Sequence, residues 1–548
     1  MGDVLMSRFL KLYHTVKTLR LKQIVYRIYY RFVKVGPFVV LGYKKSTSFG
    51  LGQIPAWSAS RLTSDKQFEF MGIKQPVQWN SSTLPKIWLY NLHYLDCLTS
   101  VDVTSDALDS YIVNRWIEEN PPYSGCAWEP YTLSLRIVNL LKWFRGRSDL
   151  KQDWLDSLAL QTFALSKQVE YHILANHLFV NGKALLMAGC FLDGLHVEYW
   201  RHLGLKILDR EIDEQFLSDG AHYELSPMYH ASLIWDMCDL VNLAAHTRWA
   251  PLAERLEKWK AVVRQGIIWL RDIQHPDGDI PFFNDSAFGI APRLRDIEAY
   301  AQLLGCLPPP MQFVAGGVAA RCYKDSGYGV IDLDEGGKAL MSFAQIAPDY
   351  QPGHAHADTL SFELSLFGQR VFVNSGTSRY GEDRERHRQR STAAHNTVEV
   401  NGENSSEVWA GFRVARRARA ELEAFESVDD SARIACNHDG YIRLRGRNMH
   451  RREWRATAGE LQIIDSITGA FDCALSRFFV HPDATVLRDG RNVSVVLPLG
   501  GVVHVCFRGA VNINVVDSTW HPEFGKSIPN QCIIAELSSE ILMTTITW

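Results

Sequence analysis

The segment Gly353-His354-Ala355-His356-Ala357-Asp358-Thr359-Leu360-Ser361-Phe362 sets two imidazoles and a carboxylate within five residues, and a further histidine follows in Ala393-Ala394-His395-Asn396-Thr397-Val398. Alternate side chains of an extended chain share a face, so His354 and His356 are expected on one side of a strand that continues from Ser361 to Phe367. A lone His-x-His is more often a hydrogen-bonded pair than a ligand set, so the segment needs corroboration from elsewhere in the chain.

Three segments in the first half carry polar groups where a cleft would want them. Ala175-Asn176-His177-Leu178-Phe179-Val180-Asn181-Gly182 puts Asn176 inside an apolar helix, and a buried amide without partners costs about 1–3 kcal/mol. In Asp219-Gly220-Ala221-His222-Tyr223-Glu224-Leu225-Ser226-Pro227-Met228-Tyr229-His230, Ser226 reads as an N-cap and Pro227 as the first helical residue. Tyr229 then lies in the first turn, where the positive helix end favours phenolate and is expected to lower a pKa that starts near ~10. The turn Gly278-Asp279-Ile280-Pro281-Phe282-Phe283-Asn284-Asp285-Ser286 offers Asn284 and Asp285, which are read as structural caps.

The elements that must position these groups fall in two blocks. From Leu95 to about Cys306, apolar residues recur at three- and four-residue intervals: Trp128 to Trp143, Trp154 to Val169, Tyr171 to Cys190, Tyr199 to Phe216, Pro227 to His246 and Leu252 to Ile273. Short connections predict antiparallel helix pairs. Leu307-Pro308-Pro309-Pro310 closes the block by removing donors and fixing the backbone. Beyond it the period is two, as in Gly327 to Leu333, Arg370 to Val373, Val493 to Leu497 and Val502 to Phe507, with turns at Asn401-Gly402, Asp439-Gly440 and Asp489-Gly490. The predicted class is α+β multidomain: a basic amphipathic N-terminal segment and lead-in (1–80), a helical domain (81–312) and an antiparallel β-sandwich domain (313–548).

Composition narrows the function. The 548 residues are 46% hydrophobic with a formal charge of −3, ordinary for a globular chain with sizeable cores and unlike a nucleic-acid binder. Sixteen Trp and 20 Tyr suit stacking on sugar rings, although most are expected in the core. The ten cysteines are scattered without CxxC pairs and read as buried thiols. No run reaches the ~20 apolar residues of a membrane span. Residues 1–40 interleave eight Lys or Arg with apolar residues at helical spacing, and Asp3 is their only acid. That pattern suits peripheral contact with an anionic membrane surface or packing against the chain's own domain.

Taken in order, Trp128-Glu129-Pro130-Tyr131, Ala175-Asn176-His177, Asp219 to His230, Gly353 to Phe362 and His395 to Val398 resemble the heparinase II/III family of polysaccharide lyases, over a span from about Trp88 to the end of the β domain. Members associated with bacterial surface-polysaccharide clusters look more similar than the secreted glycosaminoglycan-degrading enzymes. The resemblance implies an incomplete α/α toroid followed by an antiparallel β-sandwich, and β-elimination on a uronate-containing polysaccharide or oligosaccharide. It assigns catalysis to Asn176 as carboxylate neutraliser, Tyr229 as base and then acid, and His354 as second catalytic group. Trp128, Glu129, His177, His222, Tyr223, Glu224, Arg388 and Arg390 are the expected substrate contacts.

The resemblance also implies a divalent metal, zinc or calcium, in a structural role on His356, His395 and a third ligand. Asn374, whose amide oxygen is a poorer and neutral ligand, stands in the place where the family usually has Asp, which predicts a weak site. Asp358 is a candidate to orient an imidazole. The alternatives are a glycoside hydrolase using Glu129 and Glu224, and a non-catalytic polysaccharide-binding module in surface-polymer assembly. The family usually acts outside the cytoplasm, yet Met1 to Val40 shows no standard secretory signal. The cytoplasm or its membrane face is therefore expected, with the periplasm as alternative.

Overall fold

The computed structural model describes residues 2–40, 42–63, 65–101, 105–310 and 317–548, with no side-chain description for 2–5 and 7. The expected boundary at 312/313 lies outside the described residues. Two helices open the chain, α1 (Gly2–Val16) and α2 (Leu21–Phe32). The helical block then runs α3 (Lys86–Tyr94), α4 (Asp106–Glu119), α5 (Pro130–Phe144), α6 (Gln152–Lys167), α7 (Ala175–Phe191), α8 (Val197–Gln215), α9 (Pro227–His246), α10 (Ala250–Ala253), α11 (Leu256–Ile273) and α12 (Leu294–Leu303).

α7 is apolar on every side and is buried along nearly its whole length, so it is the centre of the block. It packs against α5, α6, α8 and α9. α7 and α8 approach closely because each presents a glycine to the other: a Cβ on Gly204 of α8 would lie 2.4 Å from the Leu186 nitrogen, and one on Gly189 of α7 2.5 Å from the Arg201 nitrogen. Trp88, Trp116, Trp154, Trp200, Trp259 and Trp269 are all fully buried. The tryptophans are thus mostly core, and few remain to stack on a sugar.

The β domain is two antiparallel sheets face to face. One orders Ala510–Trp520, Ile528–Leu537, Ala474–Val480, Gln369–Phe372, Ser361–Leu366, Gly337–Ser342, Tyr328–Leu333 and Ala319–Tyr323, with Val398–Val400 also paired to Ala474–Val480. The other runs from Ala420–Val428 through His450–Thr457 and Ile541–Thr547 to Thr485–Asp489. Alternation along strands such as Glu460–Ile467 sends Leu461 and Ile463 inward into one apolar cluster with Phe507 of the same sheet and Phe362 and Phe478 of the facing sheet. All ten cysteines are free thiols, mostly buried.

The helical core does not stop at the domain boundary. Tyr328, Val330 and Leu340, on the first sheet, belong to the same apolar cluster as the helices. Polar contacts reinforce the joint: the Tyr328 hydroxyl donates to the Leu225 carbonyl at 2.7 Å, and Lys338 Nζ to those of Asp272 and Gln274 at 3.1 and 3.2 Å.

Candidate active site

A cleft of about 1240 Å³ lies where the helical block, the β domain and the N-terminal helices meet. Its catalytic candidates are placed by two helix starts and one loop. α7 starts at Ala175 with Leu174 before it, both at positive φ, 55° and 71°. Such backbone is costly for residues with a Cβ and persists only where surroundings enforce it. Here Glu170 does so: its carbonyl accepts the amides of Ile173 and Leu174 at 2.9 Å.

Asn176 therefore enters the first turn with its backbone N–H and Nδ2 both donating to Glu224 Oε1 at 2.9 Å, a carboxylate on a helix N-terminus. Its Oδ1 has no partner among the described residues. α9 starts as the sequence indicates: Ser226 accepts the Tyr229 N–H at 3.2 Å, and Pro227 is the first helical residue.

The Tyr229 ring lies against the His354 imidazole, centroids 3.9 Å apart and planes tilted by 31°, and its hydroxyl is 3.0 Å from that of Tyr380. Asn176, Tyr229 and His354 all line the cleft. The expected lowering of the Tyr229 pKa is not found. Burial, followed by the neighbouring Tyr380, raises it well above the ordinary phenol value; loss of solvation outweighs the helix end.

His354 Nδ1 lies 3.0 Å from Asp285 Oδ2, and its Nε2 is 3.4 Å from Glu224 Oε2. Asp285 is the hub of the site, although its segment was read as a structural cap. It also meets His356 Nε2 at 2.9 Å, Arg386 through both guanidinium nitrogens, and the Thr377 hydroxyl. Burial pushes its carboxyl up, but the Arg386 charge and the hydrogen bonds from His354, His356 and Arg386 prevail and hold it well below the carboxylate range. A carboxylate following Phe282-Phe283 was the available signal, since a buried Asp must be paired. Arg386 was passed over for Arg388 and Arg390 in the same run of alternating arginines.

The His354 and His356 loop is not a strand. The chain turns from Gly353 to Leu360, and pairing begins only at Ser361. The two imidazoles share a partner because each reaches one oxygen of Asp285, not because of a β pleat. Asp358 orients no imidazole: its Oδ2 accepts the Asn284 N–H at 3.1 Å.

Several expected substrate contacts are interior supports. Trp128 is buried and donates towards the Asn120 carbonyl. His222 is sealed on Gln215 Oε1 at 3.0 Å, with burial lowering its pKa to about 4. Tyr223 is buried beneath Tyr350, whose hydroxyl donates to it at 2.9 Å, and Glu224 holds Asn176. Arg390 is buried with its guanidinium on the Ala355 and Ala410 carbonyls, and burial followed by Arg386 lowers its pKa to about 9. Arg388 is bound to Glu385, Thr519 and His521, away from the cleft lining. Glu129 sits beside that lining, on Lys86 at 2.9 Å and the Tyr90 hydroxyl. His177 does line the cleft, 3.0 Å from Glu170, whose charge overcomes burial and raises the imidazole pKa.

The proposed metal ligands form an incomplete set. His395 Nδ1 is 2.7 Å from the Ser391 carbonyl, an acceptor only, so Nε2 carries the lone pair. His356 donates from Nε2 to Asp285, which leaves its Nδ1 lone pair facing His395 Nε2 at 3.1 Å. A proton or cation between them would relieve that contact. Asn374 Oδ1, however, is taken by the Asn396 N–H at 2.9 Å, and its Nδ2, a donor, lacks a partner among the described residues. No group of three His, Cys, Asp or Glu among the described residues is arranged to hold a metal ion. The residues present do not make a zinc set, so no chemical step is routed through one.

Comparison with known proteins gives the site its context. The family description "Heparinase II/III N-terminus" matches residues 108–305, and "Heparinase II/III-like, C-terminal" matches 316–548. A heparin-sulfate lyase of Bacteroides thetaiotaomicron is 24% identical over 363 residues, covering 58% of this chain and 51% of that protein. One from Bacteroides stercoris is 26% identical over 374 residues, covering 64% and 52%. The chain thus spans about half the length of these relatives. Among solved structures, heparinase III superposes with a TM-score of 0.67 at 17% identity over 86% of this chain and 79% of its own. A heparan sulfate lyase from Pedobacter heparinus does so at 0.56 and 17%, over 88% and 81%. These superpositions show the shared fold, a toroid followed by β-sandwich layers.

Proposed function

This chain belongs to the heparinase II/III family, and on that premise we propose that it is a polysaccharide lyase acting on a uronate-containing polysaccharide or oligosaccharide by β-elimination. The observation that carries the reading is the convergence of Asn176, Tyr229 and His354 on one cleft, with phenol and imidazole in contact. Arg27, Arg61 and Arg413 also line that cleft and suit an acidic glycan, beside Lys86, Lys142 and Lys526, which are paired with Glu129, Asp239 and Glu523. The named activity of the matched relatives, heparin-sulfate lyase, agrees with that substrate class.

Elimination removes the proton at C5, beside the carboxylate, and expels the oxygen at C4. His354 is suited to take the C5 proton. Asp285 fixes hydrogen on Nδ1 and leaves Nε2 as the base. Tyr229, kept as a phenol by burial, is suited to give its proton to the departing oxygen, with Tyr380 at hand to return one. Asn176 has spent its donors on Glu224, so its unpartnered Oδ1 is suited to accept from a uronic acid carboxyl held neutral. A neutral carboxyl acidifies the neighbouring C5 proton.

The hydrolase reading loses its carboxylates, because Glu224 is committed to Asn176 and Glu129 to Lys86 and Tyr90. The test is digestion of a panel of uronate polymers while ultraviolet absorbance from unsaturated ends is followed. Native protein is expected to raise it on at least one polymer, and Tyr229→Phe to abolish the rise with an unchanged melting curve. Silence across the panel, or cleavage leaving only saturated ends, would overturn the reading.

A further inference from the structure

The N-terminal helices bind the body of the protein by one face only. Gln23, buried, donates from Nε2 to the carbonyls of Tyr350 and Ile173 at 3.1 and 3.3 Å. The Trp409 indole donates to the Thr15 hydroxyl at 3.1 Å, and Lys22 lies over the Tyr171 ring at 3.7 Å. These contacts span both domains, so the helix pair is held in one orientation.

The opposite face is apolar and, among the described residues, exposed. On α2, Leu21, Val25, Ile28 and Phe32 recur at four, three and four residues, a single stripe, with Leu21 75% and Phe32 77% exposed. On α1, Met6, Phe9 and Tyr13 repeat the pattern, with Phe9 67% exposed. Cations lie beside both stripes: Arg8 and Lys17 on and after α1, Arg31 and Lys34 on and after α2. Residues 1–40 hold eight Lys or Arg against Asp3, in a chain whose net charge is −3.

We propose that this face docks on the surface of an anionic lipid bilayer, with the two apolar stripes inserted at the headgroup level and the flanking cations on lipid phosphates. Charge selects this occupant. A second copy of the same face would oppose cations to cations, whereas an anionic bilayer supplies both apolar depth and negative charge. Among the described residues no helix is long and apolar enough to cross a membrane, so the contact is peripheral. The inner sides of the same helices, at Thr15, Leu19 and Gln23, line the cleft, so docking would hold the cleft beside the bilayer. The inference does not depend on the reaction proposed above.

The test is flotation of the full chain with phosphatidylcholine vesicles, alone or with about one-third phosphatidylglycerol. Binding is expected only with the anionic lipid and should weaken sharply towards ~0.5 M salt. The triple variant Phe9→Ser, Leu21→Ser, Phe32→Ser should bind at least about tenfold more weakly. Its melting temperature should match native, since these side chains are exposed. Arg8→Glu with Arg31→Glu should lose the preference for anionic vesicles. Failure to bind anionic vesicles, binding indifferent to the triple substitution, or a dimer without lipid that the triple variant dissociates would each overturn the proposal.

Discussion

Asp285 shows how a site is organised by a residue that carries no motif. It orients His354 and His356 and is itself charged because Arg386 faces it in a dry interior. Asp285→Asn keeps the shape but no longer dictates which His354 nitrogen carries hydrogen. We expect kcat to fall by about 10²–10⁴ with KM little changed, measured by steady-state kinetics on a polymer that the native protein cleaves. An equal change in KM alone would show that Asp285 serves binding. Asp285→Ala should also lower stability by about 3–5 kcal/mol in denaturant titration, because Arg386 is left buried and unpaired. Asn176, Tyr229 and His354 were legible in the sequence as an amide within an apolar helix, a first-turn tyrosine and a member of a histidine cluster. Asp285 was legible only as a carboxylate beside two phenylalanines and Arg386 not at all, because what distinguishes them is each other, 101 positions apart.

Helices were the most legible elements. The periodic segments become α5 to α9 and α11 with ends shifted by a few residues, since burial of one stripe dictates them whatever lies opposite. The His354–Leu360 loop was misread as extended chain because alternation of His and Ala mimics a pleat. Its course is instead set by tertiary bonds, among them Asp285 N–H to the His354 carbonyl at 2.9 Å and His356 N–H to Asn284 Oδ1 at 3.0 Å. Asp358 in this loop makes a prediction about pH. Burial raises its pKa from 3.8 to about 7, so the folded protein holds the proton more tightly than the unfolded chain. The stability it contributes is complete below 3.8 and is lost as pH rises through about 7. Asp358→Asn should therefore flatten the decline in melting temperature over that interval. A calorimetric pH series with the native slope would contradict this.

At the scale of the whole molecule, the helical block and the β domain share one apolar cluster through Tyr328, Val330 and Leu340, and the cleft exists only where they meet. One cooperative heat-absorption peak is expected in calorimetry, with loss of activity and of helical circular dichroism at the same temperature; two resolved peaks would show the halves to be independent. The sequence by itself determined the order of helices then strands, the amphipathic character of residues 1–40 and the family, because periodicity and motif order are local properties carried along the chain. Only the tertiary structure decided that His222, Tyr223 and Arg390 are buried supports, that Tyr229 is a phenol, and that Asp285 rules the site. Each of these depends on solvent exclusion and on charges from distant segments, and neither exists until the chain has folded.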